Sequence, residues 1–311
     1  MHRTPVPLWR LLNLNDYATM SLQFSRGCPF NCEFCNVTAL LGHRFRIKTS
    51  AQIIAELDSL HAQGWRGAVF FVDDNFIGNQ PFLKTDLLPA LIDWQKDKTG
   101  MAFITEASIN LADDPPLMER MVEAGFDTVF IGIETTDTTC LTECSKQQNN
   151  HRDMVEDVKR IQRTGLQVQG GFIVGFDHDR PLIFQRQVDF IQKSGIVTAM
   201  VGLLQAPAGT RLYARMEKEG RLCQDYSGDN VDGTTNIIPI MNMAVLKDGY
   251  RRILDGIYSP APYYRRIRTF LREYRPRHAR GRLRAVDLVA IMRSAFNLGV
   301  IGCERLHYWK L

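Results

Sequence analysis

The chain has 311 residues, 45% hydrophobic and 23% charged, which is enough to bury a large core as one domain with an appendage or as two domains. The first ten residues lack the apolar stretch of a secretory signal, and the absence of any run of 18 uncharged apolar residues argues against a membrane-spanning helix. Seven cysteines without such a signal do not predict a disulfide framework, so we expect free thiols and a cytoplasmic protein.

Short apolar runs alternate with helical patterns in the first two thirds of the chain. The six predicted strands occupy 20–25, 67–75, 101–108, 127–134, 168–176 and 198–206. The five predicted helices occupy 50–63, 81–96, 115–123, 151–163 and 181–194. Six strands buried on both faces and joined by helices predict a parallel sheet. An open doubly wound sheet and a partial barrel both satisfy this pattern.

The pattern changes near Pro207, where we place a domain boundary. We expect a connector over residues 1–19, the sheet with its helices over 20–206, and a mostly helical, arginine-rich extension over 207–311. Residues 251–284 contain eleven arginines and only two acidic residues, so this stretch carries a charge of +9. Because the formal net charge of the whole chain is +4, the basic character belongs to the C-terminal part alone.

Polar residues follow every predicted strand. They are Cys28, Cys32, Cys35, Asp73, Asp74, Asn75, Glu106, Ser108, Glu134, Asp177 and Gln205. In parallel sheets and barrels, the chemistry lies beyond the carboxyl ends of the strands. We therefore predict one site that is surrounded by the six strand ends. The alternative for the segment Asp73 to Asn75 is an ordinary helix cap, a position that these residue types favour.

Three cysteines occur within eight residues of the segment RGCPFNCEFCN, and soft thiolates of this kind bind zinc or an iron–sulfur cluster. A closed zinc site needs a fourth ligand, for which His43 is nearest in sequence. A closed cluster needs a fourth cysteine, but the other four are distant: Cys140, Cys144, Cys223 and Cys303. The third alternative is a site with one position kept open for a substrate. Cys140 and Cys144 are expected to be small buried residues or, alternatively, substrate-side thiols.

The spacing C-x3-C-x2-C, with Phe34 before the last cysteine, resembles the radical S-adenosylmethionine (SAM) superfamily. The resemblance implies that Cys28, Cys32 and Cys35 hold three irons of a 4Fe-4S cluster, and that the amino and carboxylate groups of SAM chelate the fourth. It implies a partial (β/α)6 TIM-like barrel, which agrees with the six predicted units. It also implies an enzyme that reductively cleaves SAM to make a 5′-deoxyadenosyl radical.

We assign seven residues to the binding of SAM: Phe34, Asp73, Asp74, Glu134, Gly171, Gly175 and Gln205. By resemblance, Asp73 or Asp74 accepts hydrogen bonds from the methionine ammonium, and Glu134 reaches the ribose hydroxyls. Gly171 and Gly175 let the backbone of GGFIVGF lie against adenine, because glycine permits close approach. Phe34 packs beside the cluster and adenine, and Gln205 is the polar end of the sixth strand.

Five longer segments resemble the catalytic half of the cobalamin-dependent class, and within that class they most resemble the enzymes that methylate hopanoid lipids. The segments are SRGCPFNCEFC, FFVDDNFIGN, FIGIET, GGFIVGFDHD and QAPAGTRLY. Those enzymes carry a cobalamin-binding domain before the barrel, whereas this chain begins just before the first strand. We expect cobalamin in trans if it is used at all. The resemblance implies C-methylation-like modification of an apolar isoprenoid lipid. It also implies a reductant such as a ferredoxin or flavodoxin, and it allows for a partner protein that binds cobalamin. The alternatives are a truncated cluster- and SAM-binding module that needs a partner chain, or an RNA-modifying radical SAM enzyme.

The segment YYRRIRTFLREYR (263–275) has helical periodicity, with one aromatic and aliphatic face and with Arg265, Arg266, Arg268, Arg272 and Arg275 off that face. A basic amphipathic helix with interfacial aromatics predicts peripheral contact with an anionic membrane at the cytoplasmic face. The alternative is packing on the barrel with the arginines in water. No added RNA-binding fold is visible, so we rank nucleic acid below both.

Overall fold

The structure, a computed structural model, describes the chain except residues 2, 99, 224, 230, 277–284 and 303, and except the side chains of 285–287. Six parallel strands form one sheet: β1 (Thr19–Leu22), β2 (Ala68–Phe71), β3 (Ala102–Ala107), β4 (Phe126–Glu134), β5 (Gln167–Val174) and β6 (Ala199–Leu203). Their order in the sheet is their order in the chain. A doubly wound sheet would reverse its strand order at one point. The unbroken order therefore distinguishes between the two predicted architectures and confirms the partial (β/α)6 barrel.

Five helices follow the strands on the outside of the sheet: α1 (Ser50–Ala62), α2 (Leu88–Asp97), α3 (Pro115–Glu123), α4 (Met154–Thr164) and α5 (Leu182–Ser194). Thr49, not Ser50, caps α1, and it forms a reciprocal capping box with Gln52. The helix predicted over 81–96 is interrupted by a π-helical segment at Leu83–Leu87. Pro89 lies in the first turn of the regular helix that follows this segment, where its missing N–H is tolerated.

The main core lies between the sheet and the helices, where Phe71, Phe103 and Phe126 form close ring pairs with centroids 5.2–5.4 Å apart. The prediction that the strands are buried on both faces is wrong for β1, β2, β3 and β5. Along these strands, buried side chains alternate with half-buried ones or, in β1, with the exposed Ser21. The reason is the curvature of the sheet, because the inner face of an open barrel lines a pocket instead of a second packed layer.

The chain between β1 and α1 carries the three cysteines. A short antiparallel pair, Ser25–Arg26 with Arg46–Ile47, closes the base of this segment, which we call the cysteine loop (residues 27–45). At its start, Gly27 has a φ of +94°, and a Cβ there would lie 2.6 Å from the carbonyl oxygen of Arg44. Glycine is therefore required at the point where the two ends of the loop approach each other.

The C-terminal extension is mostly helical, as predicted: α6 (Arg211–Lys218), α7 (Met243–Tyr258) and α8 (Pro260–Glu273), followed by Ala285–Ser294, Ala295–Ile301 and Arg305–Tyr308. Helices α7 and α8 pack on α5. The boundary near Pro207 stays a prediction, since Asn236 of the extension pairs with both backbone groups of Ala206 at 2.8 Å. None of the described helices is long and apolar enough to cross a membrane.

The predicted face of α8 needs one correction. Arg266 was placed off the apolar face, but its side chain is fully buried and donates to the carbonyl oxygens of Ile257 (2.6 Å) and Val197 (3.0 Å). Its guanidinium also lies over the rings of Tyr258 and Tyr263. An arginine is tolerated there because the preceding helix end and the barrel present free carbonyl acceptors.

Some predicted features lie outside the described residues. They are Cys303 and four arginines of the +9 stretch, Arg277, Arg280, Arg282 and Arg284.

Candidate functional site

The carboxylate of Asp73, just beyond β2, holds the entrance of the cysteine loop. It accepts hydrogen bonds from the backbone N–H of Phe24 at 3.1 Å and from both the N–H and the hydroxyl of Ser25. Asp73 is fully buried, and burial raises its pKa to about 7. The structure therefore places Asp73 beneath the loop instead of in a pocket. Its neighbour Asp74 is half-buried, and burial raises the pKa of that carboxyl as well.

The three thiols lie on the loop above Asp73. Cys32 is buried, while Cys28 and Cys35 are half-buried. Burial raises the pKa of Cys28, and it raises the pKa of Cys35 to about 11. Burial thus favours the protonated thiols of Cys28 and Cys35, and metal binding would release their protons. Within the described part of the chain, no group of three His, Cys, Asp or Glu side chains is arranged to hold a single metal ion. His43, the candidate fourth ligand of a zinc site, lines a cleft together with Cys32 and Cys35.

A pocket of about 310 Å³ opens beside Cys35 on the inner face of the sheet. Four of the predicted SAM-binding residues line it together: Phe34, Glu134, Gly171 and Gln205. At Gly171 a Cβ would lie 2.9 Å from the ring of Phe130, so the close approach of the backbone requires glycine. Gly175 is not part of the described lining. It forms the turn after β5 with a φ of +110°, and its N–H donates to Asp179 at 2.7 Å.

Glu134 ends β4 in a left-handed conformation with a φ of +63°, which a non-glycine residue rarely adopts. The pairing of β4 with β5 shifts register at this point. Two amide side chains hold the conformation. Asn149 donates to the carbonyl oxygens of Gly132 and Ile133 at 2.9 Å, and Gln187 donates to that of Glu134 at 3.2 Å. Backbone strain that is held by surrounding contacts in this way is typical of functional sites.

Lys146 was not singled out from the sequence, yet it is the partner of Glu134, with Nζ 2.8 Å from Oε1. Only 12% of its side chain is exposed. Burial opposes its charge, but Glu134 and Cys32 more than offset this effect, and the pKa of Lys146 lies above its usual value. From the sequence, we expected site residues directly after predicted strands. Lys146 instead follows the short helix Thr138–Glu143 and Ser145, which has a left-handed conformation, so its position did not suggest a role in the site.

Glu106, a polar strand end that was not assigned to cofactor binding, also lines the pocket. Burial, together with the negative charges of Asp74 and Asp73, raises its pKa to about 7. The pocket thus has two glutamates, Glu106 and Glu134, and Glu134 is paired with the buried cation of Lys146. This arrangement suits a ligand that carries both ammonium and carboxylate groups.

Behind the loop, Phe34 packs edge-on against Phe176 with centroids 6.3 Å apart, in a small apolar cluster that includes Cys140 and Cys144. The prediction that these two cysteines are buried is confirmed. The thiol of Cys140 donates to Asp179 at 3.3 Å, and burial raises the pKa of both thiols. They support the loop from below and do not line the pocket described above.

The fold and the site together define a partial (β/α)6 barrel with a cysteine loop after its first strand. A family model of the radical SAM superfamily matches residues 22–181, just over half of the chain, and the chain belongs to that superfamily. Members of this family of enzymes bind a 4Fe-4S cluster and SAM. A second family model, described as a domain of unknown function (DUF4070), matches residues 210–311.

Two similar proteins extend this result. An uncharacterized methyltransferase of Synechocystis sp. is 40% identical over 98% of the chain, and the hopanoid C-2 methylase of Rhodopseudomonas palustris is 35% identical over 98% of the chain. The chain spans 58% and 59% of their lengths. The radical SAM methyltransferase TsrM from Kitasatospora setae, whose structure contains cobalamin and a [4Fe-4S] cluster, has the same fold, with a TM-score of 0.60. The match has 17% sequence identity and covers 92% of the present chain and 58% of the TsrM chain. The resemblance to the radical SAM superfamily and to hopanoid-methylating enzymes is thereby confirmed.

Proposed function

We propose that this chain is the cluster- and SAM-binding part of a radical SAM enzyme that modifies an apolar isoprenoid lipid by C-methylation. The observation that carries the proposal is its 35% identity to a hopanoid C-2 methylase over both the barrel and the C-terminal extension. The proposal is supported by the pocket beside Cys35, whose wall is largely apolar: Phe130, Phe172, Ile173, Met200, Leu203, Leu204 and Val231.

We assign Cys28, Cys32 and Cys35 as ligands of three irons of a 4Fe-4S cluster. The donor set fits this group, because three soft thiols lie on one loop, Cys35 lines the pocket, and each thiol would bind a different iron. When bound, the cluster supplies the electron that cleaves SAM to methionine and a 5′-deoxyadenosyl radical. The electron itself would come from a small reductant protein such as a ferredoxin or flavodoxin.

The chain's own residues would bind and orient SAM beside the loop. We assign Glu134 to the ribose hydroxyls, Asp74 to the ammonium and Lys146 to the carboxylate. Phe34 and Gly171 flank the adenine, and Gln205 closes the side of the pocket where its Nε2 donates to the carbonyl oxygen of Asp229 at 2.8 Å. Tyr226 and Val231, which line the same pocket, would help to exclude water.

Anaerobic reconstitution with iron and sulfide tests the assignment of the cluster. We expect four irons and four sulfides per chain in the wild-type protein and 5′-deoxyadenosine on addition of SAM and a reductant. The variant with Cys28, Cys32 and Cys35 all changed to Ala should contain neither iron nor sulfide. Cys223→Ala is the control, since Cys223 is exposed and distant in sequence. Stoichiometric zinc without iron or sulfide in the reconstituted wild-type protein would refute the assignment.

Cobalamin use needs a separate experiment. The structure of TsrM contains cobalamin in addition to the cluster, and we propose that this chain receives cobalamin from a partner in trans. Titration with methylcobalamin followed by gel filtration measures whether the pigment stays with the protein. Equimolar comigration with the chain alone would contradict supply in trans.

We also propose that the end of the extension contacts an anionic membrane surface, where a lipid substrate would be found. The supporting observation is a run of exposed apolar side chains: Leu288, Val289, Ile291, Met292, Phe296, Leu298, Val300 and Ile301. The nearby arginines Arg265 and Arg272 are exposed on α8. Cosedimentation with phosphatidylglycerol vesicles should fall as salt rises, because salt screens this attraction. Failure to bind these vesicles at any salt concentration, with tight binding of structured RNA, would favour the RNA-modifying alternative.

A further inference from the structure

The cysteine loop is tied to the C-terminal extension through Glu33, the residue that follows Cys32. The backbone N–H of Glu33 donates to the carbonyl oxygen of Cys144 at 2.9 Å, and its own carbonyl oxygen accepts from the N–H of Leu212 at 3.0 Å. The carboxylate of Glu33 forms a two-pronged ion pair with Arg215, with N–O distances of 2.8 and 3.0 Å. Leu212 and Arg215 both belong to α6, so one helix holds the backbone and the side chain of Glu33.

Arg215 continues this contact into a network of charges. Its Nη1 lies 2.5 Å from Asp177, beyond β5, and its Nη2 lies 3.5 Å from Glu143, beyond β4. Arg221 binds both oxygens of Asp177, at 2.6 and 3.0 Å. One guanidinium, that of Arg215, therefore connects the cysteine loop, the segment after β5, the short helix Thr138–Glu143 and α6.

The network is partly buried, which gives it more weight than a surface ion pair. The side chain of Arg215 is 27% exposed and that of Glu33 is 13% exposed. By contrast, Arg252 pairs with Asp248 on the surface of α7, and its side chain is 60% exposed. Isolated exposed pairs contribute little, whereas two-pronged arginine–carboxylate pairs fix geometry as well as charge. Among the described residues, Glu33 forms an ion pair with Arg215, and Glu143 forms ion pairs with Arg215 and His178. Removal of Arg215 would therefore leave Glu33 without a positive partner in this set and Glu143 with His178 alone.

We propose that α6 completes the cluster site, and that Arg215 is a positioning residue that acts through Glu33 on the segment carrying Cys32 and Cys35. This gives a role to the start of the region matched only as a domain of unknown function. The positioning of the loop is a property of the metal-free chain. Its effect on a cluster rests on the proposed function.

The first test uses the metal-free protein. Hydrogen exchange measured by mass spectrometry should show that Arg215→Ala exchanges the amides of residues 28–36 about tenfold faster than the wild type, because the loop has lost a main contact. Exchange in β3 should be unchanged. Arg252→Ala is the matched control and should exchange like the wild type. Arg221→Ala removes an arginine from the same network without a contact to Glu33, and it should leave loop exchange within about threefold of the wild type.

The second test uses reconstituted protein. Arg215→Ala should lose iron to a chelator about fivefold faster than the wild type and should show an altered electron paramagnetic resonance signal. Arg215→Lys should be intermediate, because it keeps the charge and loses the two-pronged geometry. Glu33→Gln combined with Arg215→Ala should be no worse than Arg215→Ala alone, since both changes remove the same pair.

Wild-type loop exchange in Arg215→Ala would overturn the proposal, as would a double variant whose effects simply add. If wild-type protein binds no cluster while loop exchange still rises in Arg215→Ala, the proposed function fails and the positioning role stands. If Arg215→Ala does not fold, Arg215→Lys serves for both measurements. Wild-type exchange and wild-type iron loss in the lysine variant would then overturn the proposal.

Discussion

The carboxyl ends of β2 and β4 both present an acidic residue at the same edge of the sheet, and they use it differently. Asp73 is fully buried and accepts hydrogen bonds from Phe24 and Ser25, so it holds the cysteine loop from below. Glu134 adopts a left-handed conformation, lines the pocket and pairs with Lys146. The difference arises from what passes over each strand. The loop that leaves β1 crosses its neighbour β2, whereas β4 opens onto the pocket. A strand-end position alone therefore does not define a role.

The largest expected effect comes from Asp73→Ala. The variant leaves three donors of Phe24 and Ser25 without their acceptor in the interior, and each such group costs about 1–3 kcal/mol. We expect the free energy of unfolding of the metal-free protein to fall by about 3 kcal/mol or more in urea titrations. Asp73→Asn keeps one carbonyl acceptor and should lose less. A loss below about 1 kcal/mol in the alanine variant would show that Asp73 does not hold the loop.

Glu134→Ala should have a large effect on SAM binding, and it should also lower stability because it leaves the buried cation of Lys146 without its carboxylate partner. Truncation of one partner of a buried charged pair costs about 2 kcal/mol or more, which corresponds to about 30-fold in the dissociation constant. Equilibrium dialysis of SAM with reconstituted protein measures this change. Asp93→Ala, at an exposed carboxylate of α2, is the control and should bind SAM as the wild type does. Equal binding by the Glu134 variant would remove Glu134 from the SAM site.

Glu106 predicts a pH dependence of SAM binding in the pocket. Because its pKa is raised to about 7, Glu106 is neutral below that pH and ionised above it. SAM carries a net positive charge, so its affinity should rise between pH 6 and pH 8, by up to about tenfold per pH unit below the pKa. Glu106→Gln should flatten this profile. A wild-type affinity that does not change with pH, or an unchanged slope in the variant, would contradict the prediction.

The same group has a linked effect on stability, with a definite sign. Between the ordinary pKa of 4.5 and about pH 7, the folded protein retains a proton on Glu106 that the unfolded chain has released. The contribution of Glu106 to stability is therefore fully present below pH 4.5 and is lost as the pH rises through about 7. Urea titrations of wild type and Glu106→Gln across this range should differ in slope with that sign.

The smallest expected effect isolates the backbone strain at Glu134. Glu134→Ala and Glu134→Gly both remove the side chain, but only glycine adopts a φ of +63° without a steric cost. The glycine variant should therefore be more stable than the alanine variant by about 1 kcal/mol. The two midpoints of urea unfolding give this difference directly. Equal midpoints would mean that the strand end relaxes when the side chain is removed, and that the left-handed conformation depends on Lys146.

Most of the fold could be predicted because local patterns determine it. The alternation of apolar runs with helical periodicity located all six strands and the main helices between them, although the helix predicted over 81–96 consists of a π-helical segment and a shorter regular helix. Site prediction depended on position in the chain, and it selected Cys28, Cys32 and Cys35, which lie on one loop, and Glu134, which lines the pocket. It could not separate Asp73 from Asp74, because adjacent residues after a strand point to different environments.

The sequence by itself determined the order of the elements, the cysteine spacing and the placement of polar residues after strands, since each of these depends on neighbours along the chain. Only the tertiary structure decided which distant groups meet: Lys146 with Glu134, Arg215 with Glu33, and Arg266 with the carbonyl oxygen of Val197. A charged side chain is polar in any sequence pattern. Whether it lies in water, in a pocket or in the core depends on acceptors and opposite charges brought near it by folding, and these carry no periodicity that a sequence reveals.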